Sequence, residues 1–168
     1  MLKRNFLFEA IAAVSLLVTA CKNEVSKPAP QMSDNQAVQK SIASVPSNLV
    51  SVNRIKSNDD NLWEVKVLTS SGALIKFEYF EMTGYIREIH GLTGPFAYNL
   101  NPGNGLMFYQ DIRLIALNVK SGDITSWKLE KDESDSKWEY RFFIASNDGN
   151  WELRIDASNG QILRIKQN

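Results

Sequence analysis

Three segments of the chain alternate apolar and polar residues with a period of two. Trp63, Val65 and Val67 alternate with Glu64 and Lys66; Trp138, Tyr140, Phe142 and Ile144 with Glu139 and Arg141; Trp151, Leu153 and Ile155 with Glu152 and Arg154. That period sends one set of side chains to each face of a strand, so each segment reads as a half-buried antiparallel strand with crossed charges on its wet face. Turn signals lie at Ser71-Gly72, Thr83-Gly84, Asp148-Gly149 and Asn159-Gly160, where glycine supplies positive φ. Strands are expected at about 49–56, 61–69, 73–81 and 84–90, then at about 123–130, 137–145, 150–156 and 161–166.

Two stretches carry the helical period instead. Ala37, Val38, Ile42 and Val45 fall on one face of a helix that Ser33 or Asp34 caps and Pro46 ends. Phe108, Ile112, Ile115 and Val119 form the corresponding face of a second helix, with Gly122 as its C-terminal cap.

These elements repeat. Trp63-Glu64-Val65-Lys66-Val67 lines up with Trp138-Glu139-Tyr140-Arg141-Phe142 at an offset of 75 (138 − 63), and Phe77 to Ile86 with Leu153 to Ile162 at 76 (160 − 84). A hairpin insertion of one residue accounts for the drift. The expected fold class is α+β: two tandem repeats, each one helix packed on a four-stranded antiparallel sheet, leaving the opposite sheet faces free as one broad surface. Between the repeats, His90 to Gly105 is rich in Gly and Pro but holds Phe96, Tyr98 and Leu100, which are expected to pack across the two halves.

The first twenty residues follow a different logic. Lys3 and Arg4 precede an apolar run from Phe6 to Val18, broken only by Glu9 and Ser15, which is the layout of a secretory signal and is short for a membrane-spanning helix. The run ends in Leu17-Val18-Thr19-Ala20-Cys21, which resembles the lipobox of bacterial lipoproteins. The resemblance implies cleavage before Cys21 and acylation of its thiol, a use that accounts for the chain's single cysteine. Acyl chains contribute ~0.8 kcal/mol per buried methylene, enough for stable membrane anchoring when more than one is attached. Lys22 follows the cysteine where aspartate would signal inner-membrane retention, so the resemblance favours the periplasmic face of the outer membrane. The organisation expected is a signal peptide at 1–20, a lipidated tether at 21–32, one repeat at 33–90, a connector at 91–106 and a second repeat at 107–168.

Charge and chemistry narrow the function. Of 19 basic residues cleavage removes Lys3 and Arg4, and of 19 acidic residues Glu9, leaving 17 and 18. A near-neutral chain offers no basic face for nucleic acid. His90 is the one histidine and has no partner at metal-ligand spacing. Asp59-Asp60 and Asp132-Glu133-Ser134-Asp135 lack the ordered oxygen ligands of a calcium loop and read as solvated hairpin tips. Asp156, beside Asn159-Gly160, reads as an acceptor for turn amides. Trp63, Trp138 and Trp151 fall in the apolar phase and are expected in the core; Trp127 is unassigned. No catalytic residue, metal site or cofactor site is expected, and an enzyme is the least favoured class.

The second repeat, Trp138 to Phe142, Asp148-Gly149 and Trp151 to Ile162 with Asp156 closing its strand, resembles the PepSY motif. The first repeat matches less well, with Glu81 where Asp156 stands. Tandem units of this length also resemble the β-lactamase-inhibitor-protein fold. The resemblance implies a lipid-anchored periplasmic binding module that inhibits or chaperones a peptidase or other hydrolase, with no catalytic residue to transfer. The competing expectation is a structural adaptor in an envelope assembly complex. The expected partners are the membrane, through the N-terminal lipid, and an unidentified envelope protein. Phe80 and Phe143 stand in the outward phase among charges, where an aromatic ring is costly unless covered; they are the candidate binding residues, unless they pack on the connector around Phe96 and Tyr98.

Overall fold

The computed structural model describes residues 31–132, 134 and 136–168. Its elements run α1 (Asp34–Ser44), β1 (Ser47–Ser57), β2 (Asp60–Thr69), β3 (Leu74–Phe80), β4 (Ile86–Thr93), α2 (Tyr109–Val119), β5 (Asp123–Lys131), β6 (Trp138–Ser146), β7 (Gly149–Asp156) and β8 (Ile162–Gln167). The protein is α+β, and the same order, one helix and then four strands, occurs in both halves.

The eight strands form one antiparallel sheet in sequence order. Two separate four-stranded sheets were expected; instead β4 pairs with β5 through Glu88–Glu130, Ile89–Leu129, His90–Lys128 and Gly91–Trp127. β4 runs to Thr93, so the first positions of the expected connector belong to the sheet. Pairing satisfies backbone groups on what would otherwise be two exposed edges.

Each helix lies on the same side of this sheet. Ser33 caps α1, accepting from the Gln36 amide while the Gln36 side chain accepts from the Ser33 amide. Ala37, Val38 and Ser41 are buried beneath it, and Ser41 Oγ lies 3.1 Å from the Tyr79 hydroxyl on β3. In α2 the buried stripe is Tyr109, Ile112 and Ala116, rotated from the expected face: Phe108 is the N-cap and, like Val119, is exposed. Tyr109 takes the inward place because its ring packs on Trp127 at 4.3 Å and its hydroxyl donates to the Phe96 carbonyl. The helix is capped by Lys120, whose amide donates to Ala116, so Gly122 immediately precedes β5 instead of capping α2.

The connector crosses between the halves as expected. The Asn101 amide donates to Ser44 at the end of α1, the Tyr109 amide to Leu100, and the Trp127 indole to the Tyr98 hydroxyl. Trp127, left unassigned by its sequence context, is completely buried, whereas Trp63, Trp138 and Trp151 are only partly buried against the core.

Equivalent hydrogen bonds occur in both halves. Gly84 donates to Phe80 and Gly160 to Asp156; Phe80 donates to Tyr85 and Asp156 to Gln161; Met32 donates to Glu81 and Met107 to Ala157, so Phe80, and not Glu81 as expected, takes the place of Asp156. Both turn glycines have positive φ, 66° and 76°, the region that side-chain-bearing residues seldom adopt.

Candidate functional site

The face of the sheet opposite the helices carries two rows of charge. Register sets Glu64 against Glu78, Glu78 against Glu88, Glu88 against Glu130, Glu130 against Glu139, and Glu139 against Asp156. One position pair along, Lys66 faces Lys76, then His90, Lys128, Arg141, Arg154 and Arg164 follow strand by strand. Like charges directly opposite one another repel. The arrangement persists because the bases from Lys66 to Arg154 reach carboxylates in the adjoining row.

Lys76 Nζ lies 2.6 Å from Glu78 and 2.9 Å from Glu88, which Lys128 also reaches at 3.1 Å. Arg141 contacts Glu130 and Glu139, and Arg154 contacts Glu139 and, at 2.7 Å, Glu152. Burial alone would raise the Glu88 carboxyl, but the ammonium groups of Lys76 and Lys128 overcome it and hold Glu88 below the usual carboxylate range. Burial would likewise lower Lys76, yet Glu78 and Glu88 raise it. The two rows differ in access: the Glu139 and Glu78 side chains are 4% and 6% exposed, those of Lys66 and Lys128 34% and 29%. Glu78 and Glu139 lie beneath, and the heads of Lys66 and Lys128 lie outermost.

Phe80 and Phe143 both lie on this helix-free face, half-buried. Phe80 pairs with Leu62 beyond the acidic row, and Phe143 pairs with Glu152 and Ser126 beyond the basic row. They flank the charges from opposite sides, three strands apart, so they form no single cluster. The connector alternative places them on the wrong side, since Tyr98 stacks on Tyr109 of the helical layer.

Where β4 and β5 cease pairing at Glu88–Glu130, the sheet opens into a cleft of about 730 Å³. Phe80, Ile86 and Trp138 line its walls; Met82 and Tyr85, 59% and 64% exposed, form one lip and Asp59 and Asp60 another. Sequence reasoning missed this cleft because it depends on how the two halves meet.

The remaining candidates resolve as follows. His90 sits in the middle of the basic row, 3.8 Å from Glu88; burial, aided by Lys128 and Lys76, outweighs that carboxylate and lowers its pKa. Asp156 accepts from the Ser158 hydroxyl and from its amide at 2.8 Å, bonds that hold its carboxyl below the usual range. Among the described residues no three His, Cys, Asp or Glu are grouped to hold a metal ion, and no helix is long and apolar enough to cross a membrane. Cys21 and its lipobox lie outside the described residues.

Residues 108–166, spanning α2 and β5 to β8, match the PepSY family, the peptidase propeptide and YPEB domain. No curated protein matches the chain significantly. Among solved structures, a candidate lipoprotein from Clostridium difficile 630 aligns with a TM-score of 0.39 at 17% identity, covering 80% of this chain and 91% of its own. The second half of the chain is thus similar to the PepSY peptidase propeptide and YPEB domain.

Proposed function

We propose that this protein is a lipid-anchored binding module on the periplasmic face of the outer membrane, made of two PepSY-like repeats, which inhibits or chaperones a peptidase or other hydrolase. The observation that carries the reading is the match of residues 108–166 to a peptidase propeptide domain. The equivalent turn bonds of Gly84 and Gly160 support extending that likeness to the first half. A helix-free sheet face that carries arginine side chains and is flanked on opposite sides by Phe80 and Phe143 offers residue types that protein interfaces favour. Acylation of Cys21 would hold this surface near the membrane through a tether containing Pro28 and Pro30.

Crosslinking in the native envelope, followed by affinity purification, tests the proposal. A captured hydrolase whose activity or maturation changes when the purified protein is added supports it. Capture of an outer-membrane barrel or secretion component, with no effect on any hydrolase, favours a structural adaptor and overturns it.

A further inference from the structure

We propose that the cleft where β4 and β5 separate binds an extended, basic peptide segment. An apolar side chain of that segment enters between Phe80, Ile86 and Trp138, and its flanking lysine or arginine pairs with Asp59 and Asp60. This deepens the reading of the protein as a binding module and rests on it.

The cavity sets the size of the occupant. About 730 Å³ is the size of ligand pockets that bury a drug-sized molecule or a few side chains. Among polar and charged lining residues, Phe80, Ile86 and Trp138 supply an apolar part, which Met82 and Tyr85 extend onto the exposed lip.

Charge sets the sign. Among the carboxylates that line the cleft, Glu88 is bridged by Lys76 and Lys128, and Glu130 by Arg141. Of the cations, Arg87 is bound to Glu78, and Lys131, 5.7 Å from the Trp138 ring centre, keeps its charge with no salt bridge among the described residues. Asp59 and Asp60 form no salt bridge among the described residues and are exposed. Two unpaired carboxylates against the one unpaired ammonium of Lys131 leave the charge beside the apolar walls negative. A basic segment complements it and an acidic one is repelled. The same location explains why the outward cations of the sheet face do not already fill this role: they are held by the carboxylate row beneath them.

The test uses residues 21–168 with Cys21→Ser and two capped pentapeptides, Ala-Lys-Leu-Lys-Ala and Ala-Glu-Leu-Glu-Ala, titrated while backbone amide NMR shifts are followed. The lysine peptide should move the amides of residues 59–60, 80–87 and 138, and the glutamate peptide should bind more weakly. Asp59→Asn with Asp60→Asn, at exposed positions that leave the fold intact, should weaken the lysine peptide about three- to tenfold, the effect of losing two exposed ion pairs. Equal response to both peptides, shifts confined to other surfaces, or unchanged affinity in the double variant overturns the cleft assignment. If that variant still captures the envelope hydrolase at full strength, the cleft assignment fails while the binding-module reading stands; if the peptide binds as predicted but no hydrolase is captured, the reverse holds.

Discussion

Gly91 on β4 lies directly against Trp127 on β5, so closely that a β-carbon at Gly91 would stand 2.1 Å from the indole nitrogen. The pair joins the two halves: the indole fills the space over the glycine, stacks on Tyr109 and donates to Tyr98. Gly91→Ala should displace a fully buried tryptophan and destabilise the protein by about 1–3 kcal/mol, the usual cost of overpacking. Urea denaturation followed by tryptophan fluorescence measures it, and an unchanged midpoint would mean that the junction is loose.

The charged rows differ in what each member contributes. Glu139 is covered and serves both Arg141 and Arg154, whereas Lys66, half-buried with its side chain 34% exposed, forms one salt bridge among the described residues, to Glu64 at 3.1 Å. Glu139→Gln should cost about 1–3 kcal/mol, because two guanidinium groups lose their buried countercharge while one carboxylate oxygen becomes an amide donor facing them. Lys66→Ala should change stability by less than about 1 kcal/mol. Chemical denaturation of the two variants side by side checks the ranking.

His90 gives the sheet face an acid sensitivity. Its folded pKa lies below the ordinary value of 6.5 because of burial and the neighbouring Lys128 and Lys76, opposed by Glu88 and Glu78. The unfolded chain therefore takes up a proton first as pH falls. The stability linked to His90 is complete above about pH 6.5 and is lost as pH drops through the lower folded value. His90→Gln should remove that component, so the wild type should lose stability relative to the variant on acidification from pH 7 to 5. Parallel slopes in that window would exclude the linkage.

Much of this architecture was legible in the sequence because burial writes a period into it. Strand and helix positions followed from alternation and from the capping signals at Ser33. The one-sheet arrangement is also written there, in the order of charges and not in the apolar period. Glu64-Val65-Lys66, Lys76-Phe77-Glu78, Glu88-Ile89-His90, Lys128-Leu129-Glu130, Glu139-Tyr140-Arg141 and Arg154-Ile155-Asp156 each place an acid and a base two residues apart, and their order reverses from strand to strand. That reversal is what antiparallel neighbours need to align like charges in rows, and it continues without a break from β4 to β5. Gly91 hid the junction, since glycine reads as a loop residue unless its partner is known. The outward phase of Phe80 and Phe143 was visible from alternation alone, but their separation across the sheet was not. The buried face of α2 is not legible in the sequence, because Phe108 is as apolar as Tyr109 and only the Trp127 stack selects between them.

The anchor depends on one atom. Cys21 is the only cysteine in the chain, so Cys21→Ser should abolish incorporation of labelled palmitate and leave precursor or soluble protein. Normal labelling of that variant would eliminate the lipoprotein reading.

The central claim is that the helix-free face binds a partner, and replacing Phe80 and Phe143 together tests it most directly. Both rings are half-buried on that face, outside the cluster that forms the core, and truncating an interface anchor commonly costs ~2 kcal/mol or more of binding. The measurement is capture of the envelope partner by the Phe80→Ser, Phe143→Ser variant, made beside its thermal melting temperature. The account predicts that capture is lost while the melting temperature stays within a few degrees of the wild type. Full capture by a folded variant, or a large fall in melting temperature showing that the rings hold the fold together, would contradict it.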